Sequence, residues 1–264
     1  MMGKLNTVSF TAQDIDIITG APALRRRYLD VALSQISPSY VEALSEYTKV
    51  LTQRNHLLKL IQEGRNTEKD LDFWNGKLVE TGSHIICERL ETIKQWNLLI
   101  EPIHASLSSA EDRFSINYLP SVPPVDGIDL LDIKKAFEKE LAAQSRKEIA
   151  IGVTTVGSHR DDFTFILNGK NLASFGSRGQ QRTGALALKL TEASYIRDVV
   201  KDKPVMLLDD VLAELDEKRR KHLLQTVTSY SQILMTSTDL DRFDDPIMKM
   251  AARFKIQNGK VEKY

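Results

Sequence analysis

The segment PVMLLDDVLAELD, residues 204–216, joins a short apolar run to a group of acidic residues. The run at 205–208 contains only Val, Met and Leu, which is typical of a parallel strand buried on both faces. Open parallel sheets bind ligands at the carboxyl ends of their strands, where Asp209 and Asp210 would lie. Carboxylates there can hold Mg²⁺ through water and orient an attacking water. The alternative is that these acids only cap the following helix, and Asp216, at the head of that helix, favours the functional interpretation.

The segment SFGSRGQQRTGALALKL, residues 174–190, runs from a short glycine-bearing loop into a predicted helix. Backbone N–H groups and the positive end of the helix dipole converge in such a loop, so it favours anions. The nucleotide-binding pattern G-x-x-x-x-G-K-[ST] does not occur in the 264 residues. The loop therefore either binds a phosphate held elsewhere or is a helix cap without a ligand.

The last hundred residues alternate between helical and strand patterns, which predicts an α/β fold. Two long helical patterns, at 38–60 and 69–104, are separated by the polar segment EGRNTEKD. They predict an antiparallel helical arm, and the alternative is that both helices pack directly on the core. A strand is predicted in RFSINYLPSVPP, and DDFTFILNGKNLASFG predicts a strand, an Asn-Gly turn and a short return strand.

Composition limits the classes of function. The apolar fraction of 42 % supports a packed core, and the 36 basic and 36 acidic residues cancel, so any DNA contact must come from a local patch. The single cysteine rules out a disulfide framework and a cysteine-rich zinc site. No apolar run is long enough to span a membrane and no signal core is visible, so we expect a cytoplasmic protein without membrane contact.

The ordered motifs resemble the C-terminal half of an ABC-type ATPase head. SRGQ (177–180) is similar to the signature motif, VMLLDD to Walker B and AELD to the D-loop. GSHRDDF, FGSRGQQRTGALALKL and LLDDVLAELDEKRRKHLL together resemble the RecF family, as do VSFTAQDIDIITGAPALRRRYLD and YTKVLTQRN. The resemblance spans nearly the whole chain.

This resemblance implies an α/β fold, namely one half of an ABC-type head with a P-loop NTPase-like sheet and flanking helices, plus a helical arm lobe. Residues 38–110 would form the arm, and 1–37 and 111–264 would belong to the ATPase lobe. RecF proteins bind and slowly hydrolyse ATP with Mg²⁺, dimerise on ATP and recognise DNA at single-strand/double-strand junctions. They act with RecR, and through it RecO, to help RecA load at gaps.

The chain departs from the family in one respect. RecF begins with a strand and a P-loop ahead of the region that matches Val8, and this sequence contains no such segment. The P-loop supplies most of the phosphate contacts, so we expect the chain alone to bind ATP poorly. Whether it is a fragment or a truncated gene product stays open.

The resemblance assigns the loop to a phosphate held by the P-loop of a second subunit. Ser177 and Gly179 would make the close contacts, the second because no Cβ obstructs approach. Arg178 stands where many relatives carry glycine and would either add a phosphate contact or lie on the surface. Gln180 completes the motif, and Gln13 would correspond to the Q-loop.

The resemblance also assigns the acids. Asp209 would hold the water shell of Mg²⁺, and Asp210 occupies the position of the catalytic base. Asp216 would bridge the dimer interface. Ser237 or Thr238 falls where transporters carry a switch histidine, and the sequence does not distinguish these two.

Five cations are candidates for DNA contact, with a solvated run as the alternative: Arg25, Arg26, Arg27, Arg182 and Lys189. The three consecutive arginines cannot share one helix face, so we expect one of them to pair internally.

His159, near Asp161 and Asp162, invites a metal site, but we favour a structural or interface role near the nucleotide. Two other classes of function compete with the RecF-like one: a non-catalytic module that binds RecR or DNA, and an SMC-like head. The short arm disfavours the latter, because SMC arms carry long heptad repeats.

Overall fold

The computed structural model describes residues 5–123, 127–238 and 249–263. The strands in these ranges are β1 (Thr7–Thr11), β2 (Phe114–Leu119), β3 (Asp162–Leu167), β4 (Lys170–Asn171), β5 (Val205–Asp209), β6 (Ile233–Thr236), β7 (Phe254–Gln257) and β8 (Lys260–Lys263). The α-helices are α1 (Ile15–Thr19), α2 (Pro22–Ser34), α3 (Pro38–Gln62), α4 (Asp72–Leu107), α5 (Leu130–Ile151), α6 (Leu172–Phe175), α7 (Arg178–Val200) and α8 (Glu217–Val227). Short 3₁₀ turns lie at Ala12–Asp14, Glu68–Leu71 and Val211–Glu214.

A three-stranded sheet in the order β1-β5-β6 carries the acidic segment. β5 pairs in parallel with both neighbours, which confirms the buried parallel strand predicted from its apolar run. Val8 and Phe10 of β1 and Met206 and Leu208 of β5 are buried. These alternate residues hold the sheet against the core, because apolar burial contributes about 25 cal/mol per Å².

A second sheet, in the order β2-β3-β4, is antiparallel. The predicted turn is present: Asn168 and Gly169 both have positive φ, 51° and 76°, as a two-residue hairpin turn requires. The predicted return strand is only two residues long, because Asn171 caps helix α6 at once by accepting hydrogen bonds from the next amides.

Helices α3 and α4 form the predicted antiparallel hairpin. Ser37 contacts Glu88 near one end and Arg54 contacts Asn75 near the other. Helix α4 is continuous through Gly82, where an added Cβ would lie 2.6 Å from Phe137 of α5. The same Cβ would lie 2.8 Å from Tyr47 of α3, so glycine at this position allows α3, α4 and α5 to approach closely.

The second half of α4 packs on the rest of the protein. Ile93, Trp96 and Ile100 are buried in the same hydrophobic cluster as the sheet residues. Helix α7 lies in contact with both α4 and β1, and nearly all its side chains between 183 and 193 are buried. The division into lobes at 37/38 and 110/111 stays a prediction. Among the described residues no helix has the length and apolarity that crossing a membrane demands.

Candidate phosphate and metal site

The carboxyl ends of three strands meet at one edge of the parallel sheet. Thr11 of β1 is paired with Asp209 of β5, and Asp209 is paired with Thr236 of β6. The Thr236 hydroxyl donates to Asp209 Oδ1 over 2.6 Å and accepts from the backbone N–H of Asp210 over 3.0 Å. One threonine thus orients the Asp209 carboxylate and holds the backbone of Asp210.

Thr236 is a site residue that the sequence did not reveal. Ser237 and Thr238 were considered for the switch position, but Thr236 is the residue whose hydroxyl contacts the acids. The signal that would find it is the register of β6 on β5, which the sequence does not contain. Ser237 is half-buried and Thr238 is exposed.

The two acids differ in conformation. Asp209 ends the strand, whereas Asp210 has a left-handed backbone, φ 49° and ψ 19°, which begins the Val211–Glu214 turn. Both side chains are exposed at the sheet edge. Neither acid caps the turn with its side chain, so the alternative of a purely capping role loses its geometric basis.

The carboxylate oxygens at this edge are of the type that Mg²⁺ prefers as ligands, but only a few of them are present. In the described ranges no group of three or more His, Cys, Asp or Glu residues could hold a metal ion. Mg²⁺ commonly takes only one or two carboxylates and completes its shell with water and phosphate oxygens. The exposed Asp209 carboxylate fits that mode, because its Oδ1 is oriented by the Thr236 hydroxyl.

The loop before α7 is held by a capping box. Ser177 Oγ accepts from the Gln180 N–H, and the Gln180 side chain accepts from the Ser177 N–H over 2.8 Å. Residues 177–180 are all exposed. At Gly179 the only atom within 4 Å of a virtual Cβ is Ser177 Oγ, at 3.9 Å. Nothing in the described chain requires glycine there, so the open space is available to a ligand or partner.

The turn that leads into this loop is rigid. A Cβ on Gly176 would lie 2.6 Å from the Leu172 carbonyl oxygen, and Leu172 is buried. The Gln181 amide donates to the carbonyls of Leu172 and Ala173, which ties α6 to α7. The loop is therefore preorganised.

Asp216 caps α8 by accepting from the Arg219 N–H over 2.9 Å, and it also forms an ion pair with the Arg219 side chain. Gln13 is exposed on the 3₁₀ turn after β1, two residues beyond Thr11, and so lies near the end of the strand that pairs with Asp209.

A cleft of about 30 Å³ lies between the end of β1, the first turns of α7 and the turn after β5. Its walls include Thr11, Asp14, Arg182 and Leu215. Nucleotide-sized ligands need pockets of roughly 300 Å³ or more, so this cleft is too small for ATP.

Two of the five predicted DNA contacts are wrong. Arg25 is only 7 % exposed, and its guanidinium binds both oxygens of Asp162 at 2.7 and 2.8 Å. Lys189 is 6 % exposed, forms a 2.6 Å ion pair with Glu192 and lies over the Tyr28 ring. Neither cation can reach a DNA phosphate, because burial and pairing already neutralise it.

The other three cations remain candidates. Arg27 and Arg182 are exposed, and Arg26 is half-buried. Arg26 donates to the Asp161 carbonyl over 2.8 Å. Of the three consecutive arginines, then, two bind within the chain rather than the one that was expected.

His159 has a structural partner at each ring nitrogen. Nδ1 lies 2.7 Å from the Tyr47 hydroxyl and Nε2 lies 3.2 Å from the Thr154 carbonyl oxygen. Burial, aided by nearby arginines, lowers the pKa of His159 from 6.5 to about 4. Asp161 accepts from Tyr118 and Ser121 instead. His159 and Asp161 are thus both held by partners within the chain, which supports the structural role.

Comparison with known proteins agrees with this geometry. The chain is 42 % identical over 261 residues to the DNA replication and repair protein RecF of Bacillus cytotoxicus, covering 99 % of this chain and 70 % of the relative. RecF of Bacillus subtilis is 39 % identical over 263 residues, with 99 % and 71 % covered. None of the statistical profiles that describe protein families matches the chain.

The fold is similar to that of a solved recombination mediator protein RecF with ATP, of the RecFOR pathway. The TM-score is 0.90 at 33 % identity, and the match covers 100 % of this chain and 68 % of that one. Together the parallel sheet, its acidic edge and the flanking helices define an α/β protein of the ABC-type ATPase class, in the form of half a head. The chain belongs to the RecF family of DNA replication and repair proteins.

Proposed function

We propose that this chain supplies the signature-loop half of a composite ATP site in a RecF-type DNA repair protein. The loop at 177–180 would contact the γ-phosphate of an ATP molecule held by the P-loop of a second subunit. The observation that carries the proposal is the hydrogen-bonded edge at Asp209, Asp210 and Thr236, where parallel sheets bind ligands. The similar RecF structure contains ATP.

The loop has donors left for a phosphate. The capping box uses the N–H groups of Ser177 and Gln180, which leaves those of Arg178 and Gly179 at the first turn of α7. The Ser177 hydroxyl accepts one hydrogen bond, so its proton remains available to donate. These groups, the helix dipole and the Arg178 cation all favour an anion.

The acids would act on the same phosphate. Mg²⁺, when bound with the nucleotide, would neutralise charge on the phosphate oxygens, and Asp209 would orient part of its water shell. Asp210 would orient the attacking water by accepting a hydrogen bond from it, or would accept its proton. The aspartate side chain is shorter than the glutamate that most ABC-type heads carry at this position. This difference is consistent with slow ATP hydrolysis in a protein that acts as a molecular switch. Asp216 and Gln13 would line the subunit interface and the nucleotide edge respectively.

We further propose that the protein is cytoplasmic, dimerises on ATP and binds DNA at single-strand/double-strand junctions. It would act with RecR, and through it RecO, in RecA loading. The family membership supports them. Exposed Arg27 and Arg182 and half-buried Arg26 are the remaining cations for DNA.

The test joins this chain to the P-loop segment of a RecF relative and introduces Ser177→Arg. Each monomer should still bind ATP through the P-loop, but ATP-driven dimerisation and hydrolysis should be lost. Ser174→Arg adds the same charge at an exposed position of the preceding helix α6 and serves as the matched control.

Mixing Ser177→Arg with a P-loop lysine variant forms dimers that contain one intact composite site. ATP turnover should return to at most about half the sites, because each site draws on both subunits. No recovery at any mixing ratio, with both variants folded and associating, would refute the shared site. The 264-residue chain alone should hydrolyse no ATP, and magnesium-dependent turnover abolished by Asp210→Asn would contradict that expectation.

A further inference from the structure

Two arginines flank His159 and are held by backbone carbonyls. Arg26, on α2, donates to the Asp161 carbonyl over 2.8 Å. Arg160 donates twice to the Thr154 carbonyl, over 3.3 and 3.0 Å, the same oxygen that contacts His159 Nε2. Arg160 is exposed and Arg26 is half-buried.

These two guanidinium groups differ from the buried arginines around them in lacking an acidic partner among the described residues. Three buried arginines of the region pair with carboxylates: Arg25 with Asp162, Arg54 with Glu148 and Arg89 with Asp30. Across the described residues, no carboxylate oxygen is recorded within ion-pair distance of Arg26 or Arg160.

The loop that carries Arg160 is rigid. Gly157 exchanges hydrogen bonds with the Ser121 side chain, which accepts from its N–H over 2.8 Å and donates to its carbonyl over 2.9 Å. The Ser158 carbonyl accepts from buried Arg89 over 2.7 Å. The cations therefore need little ordering when they bind a ligand.

Electrostatics at the centre of the loop are positive. Burial is the largest cause that lowers the pKa of His159, and the charged groups that lower it further are Arg160, Arg26 and Arg54. Of these three, Arg54 is paired with Glu148, so Arg160 and Arg26 are the cations near His159 that lack such a pair among the described residues.

We propose that Arg26 and Arg160 form a binding site for the phosphate groups of the duplex DNA backbone. Carbonyl anchoring uses one N–H group of Arg26 and two of Arg160, which leaves the remaining donors of each fork for phosphate oxygens. Two cations, one on α2 and one on the loop before β3, would contact phosphate charge and not base edges, so DNA recognition would be independent of base sequence. The proposal rests on the DNA-binding part of the proposed function and gives the GSHRDD motif a role.

The experiment measures the affinity of the whole chain for a fluorescent DNA duplex across salt concentrations. Each phosphate contact contributes about 0.9 to the slope of log K against log salt, so Arg26→Gln/Arg160→Gln should lower the slope by about 1.8. If wild type and variant bind equally at 1 M salt, this difference in slope makes the variant bind about 60-fold more weakly at 0.1 M salt. Arg160→Gln alone, whose bonds lie at the surface, should lower the slope by about 0.9.

The matched control is Arg65→Gln/Lys135→Gln, which removes the same charge from exposed positions elsewhere. It should leave the slope nearly unchanged. Arg26→Lys/Arg160→Lys should recover most of it, because the charges return. A wild-type chain that binds DNA while the Gln variants keep its slope would overturn this site and leave the proposed DNA function intact. A wild-type chain that fails to bind duplex DNA at low salt would overturn both.

Discussion

Replacing Gly157 with alanine should destabilise the protein far more than an ordinary glycine substitution in a turn. Gly157 has φ 126°, a conformation that side chains rarely adopt. An added Cβ would lie 2.9 Å from Phe137 Cζ and closer still to the Tyr47 hydroxyl. The same hydroxyl contacts His159 Nδ1, so moving it would also cost that hydrogen bond.

The magnitude follows from three contributions. Backbone strain costs about 1–2 kcal/mol, overpacking about 1–3 kcal/mol, and a lost hydrogen bond about 1 kcal/mol. We therefore expect Gly157→Ala to lower the free energy of unfolding by about 4 kcal/mol. Gly169→Ala is the control, because Gly169 has φ 76° and nothing within 4 Å of the added Cβ. Only strain applies there, about 1–2 kcal/mol.

Urea denaturation followed by circular dichroism measures the difference. With a slope near 3 kcal/mol per M, the two midpoints should differ by about 1 M. Both variants remove the same glycine flexibility from the unfolded chain, so that effect cancels in the comparison. Midpoints within about 0.2 M of each other would show that the loop yields easily and is not the rigid element inferred here.

Three further predictions concern polar side chains whose hydrogen-bond partners the structure defines. Arg89→Met should cost about 3–5 kcal/mol in urea denaturation, because it leaves Asp30 and the Ser158 carbonyl without their cation. The pKa of His159 is lowered from 6.5 to about 4 in the folded protein, so the unfolded chain binds the proton more readily. The free energy of unfolding should therefore be highest above pH 6.5 and should fall as the pH is lowered from 6.5 to about 4. His159→Gln should remove about 3 kcal/mol of that pH dependence. Thr236→Val in a chain joined to a P-loop segment should reduce ATP turnover about 10–100-fold, and Thr236→Ser should restore it.

Each of these has a control at an exposed position. Arg65→Met removes an exposed ion pair and should change stability by less than about 1 kcal/mol. Exposed His56→Gln should keep the wild-type dependence of stability on pH, and exposed Thr228→Val should keep ATP turnover. An Arg89 variant as stable as its control, a His159 variant with unchanged pH dependence, or a Thr236→Val variant with full turnover would contradict the corresponding assignment.

Local sequence was sufficient wherever a short segment fixes its own structure. The Val–Met–Leu run before Asp209 is long and apolar enough for a buried strand, and its parallel pairing follows from the alternation of elements. The Ser177–Gln180 spacing is that of a capping box, so the start of α7 is encoded in four residues. The Asn168–Gly169 turn likewise depends only on residues that tolerate positive φ.

The choice among the cations could not be made from sequence. Arg25, Arg26 and Arg27 are identical neighbours, yet one binds Asp162, one binds a carbonyl and one faces solvent. The partners of Arg25 and Arg26 lie more than a hundred residues away along the chain, so burial and pairing depend on how α2 packs beside β3. Lys189 is an ordinary helix residue in sequence and becomes buried only because α7 lies inside the core.

What the sequence by itself determined is the buried strand that ends at Asp209, the capped start of α7 at Ser177 and the Asn168–Gly169 turn, because these depend on contacts between near neighbours. What only the tertiary structure decided is the alignment of Thr236 with Asp209, the ion pair of Arg25 with Asp162 and the hydrogen bond from Arg26 to the Asp161 carbonyl. These features join strands, helices and loops that are distant in the chain, and their energies depend on register and burial, which no local pattern encodes.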